Sequence, residues 1–320
     1  MGVPRRALVV TGHDDPMLPF LRRACAPDEE ASIVPFFTDQ PRSYSCTYSP
    51  TSEKLTLRTG DCTIEGTDIR SVWWRASVPP TLSNLRPELA EYCAREYGAF
   101  YEGLEALLPH ATWVSKPSAI ECARSKPRQL AAARALGFRV LDTIFTNNPS
   151  EIRKRAAIEP SVFKSIRSPR IPLDPDSHYT VFTTRLDAET ISGVEGVASC
   201  PGIVQQFLEK SGDVRVTVIG NEVFGVFIDS QAAKRSSVDF RLGARDLAYR
   251  PHALSDADAD RCRKLLQHLD LRYGAFDFGL TSTDELVFFE VNPNGQWGWL
   301  EEATSLPMRR ALIDLLLHHQ

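Results

Sequence analysis

Ala275-Phe276-Asp277-Phe278-Gly279-Leu280, a turn through Thr281 to Glu285, and the return Leu286-Val287-Phe288-Phe289-Glu290-Val291-Asn292 decide how this chain is read. Side chains alternate across a strand, so Phe276, Phe278 and Leu280 face one way and Asp277 the other. The same alternation sets Phe289 and Val291 on one face of the return strand, with Glu290 and Asn292 on the opposite face. With Thr283-Asp284 as the tip, an antiparallel pairing brings 277 opposite about 290, with Cβ atoms about 5 Å apart. Two carboxylates that close repel each other unless a cation sits between them. With the neutral Asn292 carbonyl they suit Mg²⁺, which keeps waters and takes its remaining ligands from phosphates. A solvated acidic face on a hairpin would show the same spacing. The stretch that follows, Pro293-Asn294-Gly295-Gln296-Trp297-Gly298-Trp299, is an odd choice for a plain surface turn: a Gly-rich, Trp-bearing loop directly after a carboxylate strand.

If a cation here meets phosphates, positive side chains should converge from upstream. The chain has only eight lysines. Lys126 opens the helical stretch Ser125-Lys126-Pro127-Arg128-Gln129-Leu130, which ends at Gly137. Lys164 sits in the strand-like Val162-Phe163-Lys164-Ser165-Ile166, where a solvated lysine is disfavoured. Arg215 alternates with Val214 and Val216 in Asp213-Val214-Arg215-Val216-Thr217-Val218, so it points away from the apolar face. Arg241 lies in Val238-Asp239-Phe240-Arg241. Singly, Lys126 reads first as a helix-surface charge, Lys164 equally as an edge-strand charge, and either arginine first as a salt-bridge partner. Together with the hairpin carboxylates they make the balanced set that phosphoryl transfer needs, since catalysis there is mostly positioning and charge neutralisation.

The rest of the chain sets bounds. At 320 residues the prior is two domains or one composite fold. With 37 basic and 41 acidic residues the formal net charge is −4, which argues against a general nucleic-acid coat. No run of 18 apolar residues is present, so no membrane span is expected, and Ala7-Leu8-Val9-Val10 is too short for a secretory core. The seven cysteines include no C-x-x-C pair, which predicts reduced, mostly buried thiols in a cytoplasmic protein. There is no G-x-x-x-x-G-K-[ST], G-x-G-x-x-G after a strand, H-E-x-x-H or G-x-S-x-G, and the histidines do not pair at metal-ligand spacing.

Strand 6–10, a helix near 17–25 and strand 33–37 open the chain as a β-α-β unit. Ser118 and Glu121 form a capping-box pattern at the start of the helix pair that runs to 136. After 201 the chain turns mostly β, with a helix at 255–270, the hairpin at 274–292 and a final helix at 307–319. Soft boundaries fall near 112 and 201.

Taken in order, Lys126, Lys164, Gln205-Gln206-Phe207-Leu208, Asp213-Val214-Arg215, Arg241, Asp277, Glu290 and Asn292 resemble the ATP-grasp superfamily. More narrowly, the chain resembles the ATP-grasp ligases that cyclise ribosomal peptides of the microviridin (graspetide) type. Val72-Trp73-Trp74-Arg75, Phe182-Thr183-Thr184, Asp213 to Gly220, Ile228-Asp229-Ser230-Gln231 and Phe289 to Trp299 carry that likeness. It implies an α/β (α+β) ATP-grasp fold: an N-terminal pre-ATP-grasp domain over 1–111, a central subdomain over 112–200 and a C-terminal subdomain with the Mg/ATP site over 201–320. By the same likeness Lys126 and Lys164 contact ATP phosphates, and Gln206, Phe207 and Leu208 hold adenine, the last two largely through backbone groups. Asp213 falls where the superfamily contacts the nucleotide. Arg215 and Arg241 stabilise the transferred phosphate, and Asp277, Glu290 and Asn292 hold Mg²⁺. After Trp74-Arg75 the family continues with a second Arg and a Pro, where this chain has Ala76-Ser77. The Pro-rich loop from Arg167 to Asp176 is a candidate phosphate-covering lid.

The expected activity is an ATP-dependent ligase. It activates Asp or Glu side chains of a precursor peptide, with leader and core, as acyl phosphates and closes ester or amide rings. A homodimer is the family tendency. Two alternatives stand beside it: a ligase of free amino acids or small carboxylates, and a nucleotide-binding sensor or scaffold without turnover.

Overall fold

The computed structural model describes residues 6–59, 62–76, 78–167, 170–174, 177–243 and 246–318. Its first layer is a parallel sheet in the order Ile33–Phe37, Arg6–Thr11, Ile69–Trp74, Thr112–Val114. Ala7 to Val10 are at most 2% exposed, as expected of a strand covered on both faces. The predicted β-α-β opening is present, with 6–11 parallel to 33–37, although its first helix ends at Arg22. An antiparallel meander, Tyr44–Ser49, Lys54–Thr59 and Cys62–Glu65, accompanies this sheet.

The second large sheet has six strands: Tyr249–Pro251, Glu222–Ile228, Gly212–Ile219, Tyr273–Leu280, Leu286–Asn292 and Arg139–Val140. Its middle carries the predicted hairpin, with Asp277 opposite Glu290 and Ala275 opposite Asn292. Asp284 takes a positive φ of 59° at the turn. One expectation fails. Phe278 pairs with Phe288 rather than Phe289, because the return strand holds an extra residue at this point. Such a bulge sets two residues against one and shifts the alternation. Phe288, fully buried, therefore joins Phe276 and Phe278 in the core, while Phe289 turns to the opposite face beside Glu290.

A four-stranded sheet of Thr184–Arg185, Ser161–Lys164, Gly202–Gln206 and Thr143–Thr146 stands opposite, antiparallel at each pairing. Sheet membership crosses both sequence boundaries. The strand 112–114 completes the N-terminal sheet, 139–140 joins the six-stranded sheet, and 202–206 belongs to the central one. The helix pair is Pro117–Ala123 and Lys126–Ala135, closed by Gly137 at φ +82°, a conformation that favours glycine after a helix. Ser118 is not its cap: Lys116 occupies that position, and the Ser118 hydroxyl donates to Glu105 Oε1 at 2.6 Å. Arg170–Asp174 and Ser177–Thr180 form a hairpin. Residues 168–169 and 175–176 of the candidate lid, and Ser77, lie outside the described residues.

The final helix, Met308–Leu317, joins the layers. Its Met308, Leu312, Ile313, Leu315 and Leu316 are buried in one cluster with Val9 and Trp73 of the first sheet and Val226 and Tyr273 of the six-stranded sheet. Ser71 adds a hydrogen bond to the Leu316 carbonyl at 2.7 Å. Each fully buried large apolar side chain contributes about 1.5–3 kcal/mol, so this cluster fastens the two sheets together through the helix. All seven cysteines are free. Only Cys262 is fully buried, and Cys122 and Cys200 are exposed, so the expectation of mostly buried thiols does not hold. Among the described residues no helix is long and apolar enough to cross a membrane.

Candidate active site in the cleft between two sheets

A cleft of about 790 Å³ opens between the central and six-stranded sheets. Every residue singled out from the sequence lines it: Lys126, Lys164, Gln206, Phe207, Leu208, Asp213, Arg215, Arg241, Asp277, Glu290 and Asn292. Seven cationic side chains and four carboxylates face this space, so it carries a positive excess suited to a polyanion.

The carboxylates stand in a row of alternating partners. Arg215 lies opposite Asp277 on the neighbouring strand, and Asp277 lies opposite Glu290 on the next. Arg215 Nη1 donates to Asp277 Oδ1 at 2.7 Å, and Lys126 is ion-paired with Glu290 Oε2. Among the described residues no hydrogen bond occupies Asp277 Oδ2 or Glu290 Oε1. Each carboxylate thus keeps one oxygen on a cation and one for a ligand. No cluster of three or more His, Cys, Asp or Glu side chains among the described residues is placed to hold a metal ion. Asp277, Glu290 and Asn292, whose amide oxygen also accepts from the Asn294 N–H at 3.0 Å, are the side chains that could hold Mg²⁺, the rest of its shell coming from water and phosphate. Arg215 is 8% exposed, and its buried Nε has no partner among the described residues; a donor left bare in this way has capacity for an anionic oxygen.

Across the cleft, the strand 161–164 points Val162 and Lys164 inward, level with Gln205 and Ile203 of the next strand. Lys164 Nζ donates to Gln205 Oε1 at 2.6 Å and lies 4.9 Å from the Phe289 ring centre. Burial pushes its pKa down to about 7, and the charges of Lys126 and Lys210 add to the effect. Burial likewise lowers Lys126, to about 8. In both, loss of hydration disfavours the charged form; neighbouring cations add to it, and for Lys126 the charge of Asp277 works against it.

Lys210 is a site residue that sequence reasoning missed. It contacts both oxygens of Asp213, at 2.6 and 2.7 Å, with each side chain under a tenth exposed. Burial is the main influence on Asp213 and raises its pKa, against the pull of Lys210. Asp213 therefore sits in the cleft as expected, but as one half of an ion pair. Gln205 was also missed: its side chain, rather than that of Gln206, reaches Lys164. The Gln206 N–H donates to Asp142 O at 2.9 Å and the Phe207 N–H to Pro160 O at 2.8 Å, which fixes the segment's path past the cleft.

Arg241 sits on a short turn, Phe240–Leu242, and is forked onto Asp239 through Nε at 2.8 Å and Nη2 at 2.5 Å. Asp239 also accepts from the Thr183 N–H at 3.2 Å, tying the turn to the opposite wall. Its pKa stays low because the Arg241 guanidinium outweighs its burial.

Gln129, 3% exposed, binds the hairpin to the helix that carries Lys126. Its Nε2 donates to Val291 O at 2.7 Å, and its Oε1 accepts from the Val291 N–H at 3.0 Å. The side-chain amide so takes the place of a neighbouring strand, between Glu290 and Asn292. The sequence marks it only as a polar residue one helical turn after Lys126.

No family model and no curated protein matches the chain. Solved structures do. Macrocyclase MdnC from Microcystis aeruginosa MRC, bound with precursor peptide MdnA, is 25% identical with a TM-score of 0.84, covering 97% of this chain and 98% of that one. Macrocyclase MdnB from the same source is 26% identical with a TM-score of 0.77, covering 99% and 100%. A RiPP-associated ATP-grasp ligase of Chryseobacterium gregarium, in complex with ADP and a leader and core peptide, is 24% identical with a TM-score of 0.84, covering 97% and 96%.

Proposed function

We infer that this chain, an ATP-grasp ligase, matures a ribosomal precursor peptide by closing ester or amide rings, as a graspetide-type macrocyclase. The observation that carries this reading is the row Arg215, Asp277, Glu290, Lys126 across the floor of a positive cleft, in a chain that aligns end to end with peptide macrocyclases.

In the proposed reaction an oxygen of a substrate Asp or Glu side chain attacks the γ-phosphorus of ATP. The bond to the bridging oxygen breaks, and ADP leaves. A hydroxyl or amine of the same peptide then attacks the acyl carbon and loses its proton, while the carbon–oxygen bond to phosphate breaks. The balance is ATP to ADP and phosphate, and one water lost from the peptide per ring. Lys126 and Lys164 would neutralise the phosphates, and Gln206 to Leu208 would border the base beside Phe289. Arg215, with its bare Nε, and Arg241 would hold the oxygens of the transferring group. Asp277, Glu290 and Asn292 would hold Mg²⁺, which offsets charge on the phosphate oxygens. The walls must keep water from the acyl phosphate. A homodimer belongs to the same proposal and is checked by light scattering.

The test is incubation with Mg-ATP and an acidic, Thr- or Lys-containing precursor encoded near this chain's gene. Loss of one water per ring in the mass spectrum is expected. ADP formed only with free amino acids would replace the peptide reading by small-molecule ligation, and no ADP with either substrate would remove the ligase reading. Glu290→Gln and Arg215→Ala should each lower turnover by at least about 10²-fold, the scale for losing a preorganised group that meets transition-state charge.

A further inference from the structure

We propose that Arg75 is a positioning residue for this reaction: from the N-terminal sheet it holds the loop 293–297, and through that loop the guanidinium of Arg215. The proposal rests on the ligase reading of the cleft.

The first sheet runs from Arg6–Thr11 to Ile33–Phe37 on one side and to Ile69–Trp74 on the other. Between 6–11 and 69–74 the strand order reverses, and open α/β sheets hold ligands in the crevice beyond the strand ends at such a point. Thr11, Asp15 and Arg75 lie there. Thr11 Oγ1 donates to Asp15 Oδ2 at 2.6 Å, the Met17 N–H donates to Asp15 Oδ1 at 3.0 Å, and Arg75 Nε lies 3.5 Å from Asp15 Oδ2. Both charged side chains are about nine-tenths buried. What occupies the crevice is the chain's own loop: Arg75 Nη1 donates to the Asn294 carbonyl at 3.3 Å.

Three successive carbonyls of this loop are each taken by a donor from a different part of the chain. Asn294 O meets Arg75, Gly295 O meets the Tyr273 hydroxyl at 2.5 Å, and Gln296 O meets Arg215 Nη2 at 3.4 Å. The Asn294 amide, in the orientation that satisfies both its ends, donates to Trp74 O at 3.3 Å. The approach is close: a Cβ at Gly295 would lie 2.5 Å from Arg215 Nη2 and 2.6 Å from Ala275 Cβ. The loop therefore sets where Arg215 can lie, and the Arg75–Asp15 pair sets the loop. This gives the N-terminal sheet a part in the chemistry without contact to nucleotide or substrate.

Arg75→Ala and Asp15→Asn, the second keeping the side chain's shape, test the proposal by two independent readouts. Amide exchange across 293–297 should rise about ten-fold in Arg75→Ala, with the hairpin 273–292 unchanged. Turnover should fall by about 10²-fold while KM for ATP and Kd for ADP stay within about two-fold, the pattern of a misplaced reacting group. Asp15→Asn, which leaves Arg75 without its counter-charge, should fall between wild type and Arg75→Ala in both. Unchanged loop exchange, or turnover within about two-fold of wild type in a folded variant, overturns the proposal; so does an equal loss of ADP affinity. Should Arg75→Ala fail to fold, Asp15→Asn decides alone. A wild-type protein that forms no ADP with peptide or free amino acids would sink the ligase reading, and the exchange comparison would still decide the role of Arg75.

Discussion

Lys164 holds an ammonium where three other cations of the cleft, Lys126, Lys210 and Arg241, oppose it. Its folded pKa of about 7 lies below its ordinary 10.5. Across that window the unfolded chain holds the proton and the folded chain does not, so this group makes the ligand-free protein more stable as pH rises from about 7. A bound triphosphate raises the value again. ATP binding should therefore take up protons, and its affinity should fall as pH rises above about 7. Calorimetry in two buffers of different ionisation enthalpy measures the uptake, and Lys164→Met should remove most of it. Binding without uptake near neutral pH would place the phosphates away from this lysine. Lys126, Asp277 and Glu290 were legible in the sequence because each stands at a fixed phase of its own element. Lys210, Gln205 and Gln129 were not: their roles depend on a turn, a neighbouring strand and a helix docking that no local period encodes.

At the scale of the hairpin, strict alternation gave the pairing of Asp277 with Glu290 and misplaced Phe289. A bulge adds one residue without altering the apolar character of the run, so Phe288-Phe289 reads the same in either phase. The consequence is measurable. Phe288→Ala should cost about 3–5 kcal/mol in urea unfolding, as for a large aromatic removed from a packed core. Phe289→Ala should cost less stability and should weaken ADP binding instead, because that ring faces Lys164 and Lys210. The reverse outcome would mean that the strand runs without its bulge. The stretch after Asn292 was read as a loop through Trp299; it turns into the helix Gly298–Thr304. Trp297, 1% exposed, is fixed there by Phe20 of the first layer, a partner far away in sequence.

For the molecule as a whole, a chain of formal net charge −4 keeps a local positive excess in one cleft. Raising salt from about 50 mM to about 500 mM should weaken ATP binding, because screening shortens the reach of that field; titration calorimetry at the two ionic strengths checks it. An affinity indifferent to salt would argue against phosphates among these lysines and arginines. Composition could not reveal this arrangement, since it emerges only when the central and six-stranded sheets face each other. The interdigitation of segments across the expected boundaries has the same origin: strands join sheets by pairing, not by order along the chain. Gln129 adds one more consequence. Strand 286–292 is covered by Arg139–Val140 only at Val287 and Phe288, and beyond them the glutamine amide stands in for the missing ladder. A leucine there would leave the Val291 N–H and carbonyl buried without partners, each at a cost of about 1–3 kcal/mol, so one exchange of similar size would unfasten the hairpin of Asp277 and Glu290 from the helix that begins at Lys126 while leaving the apolar packing in place.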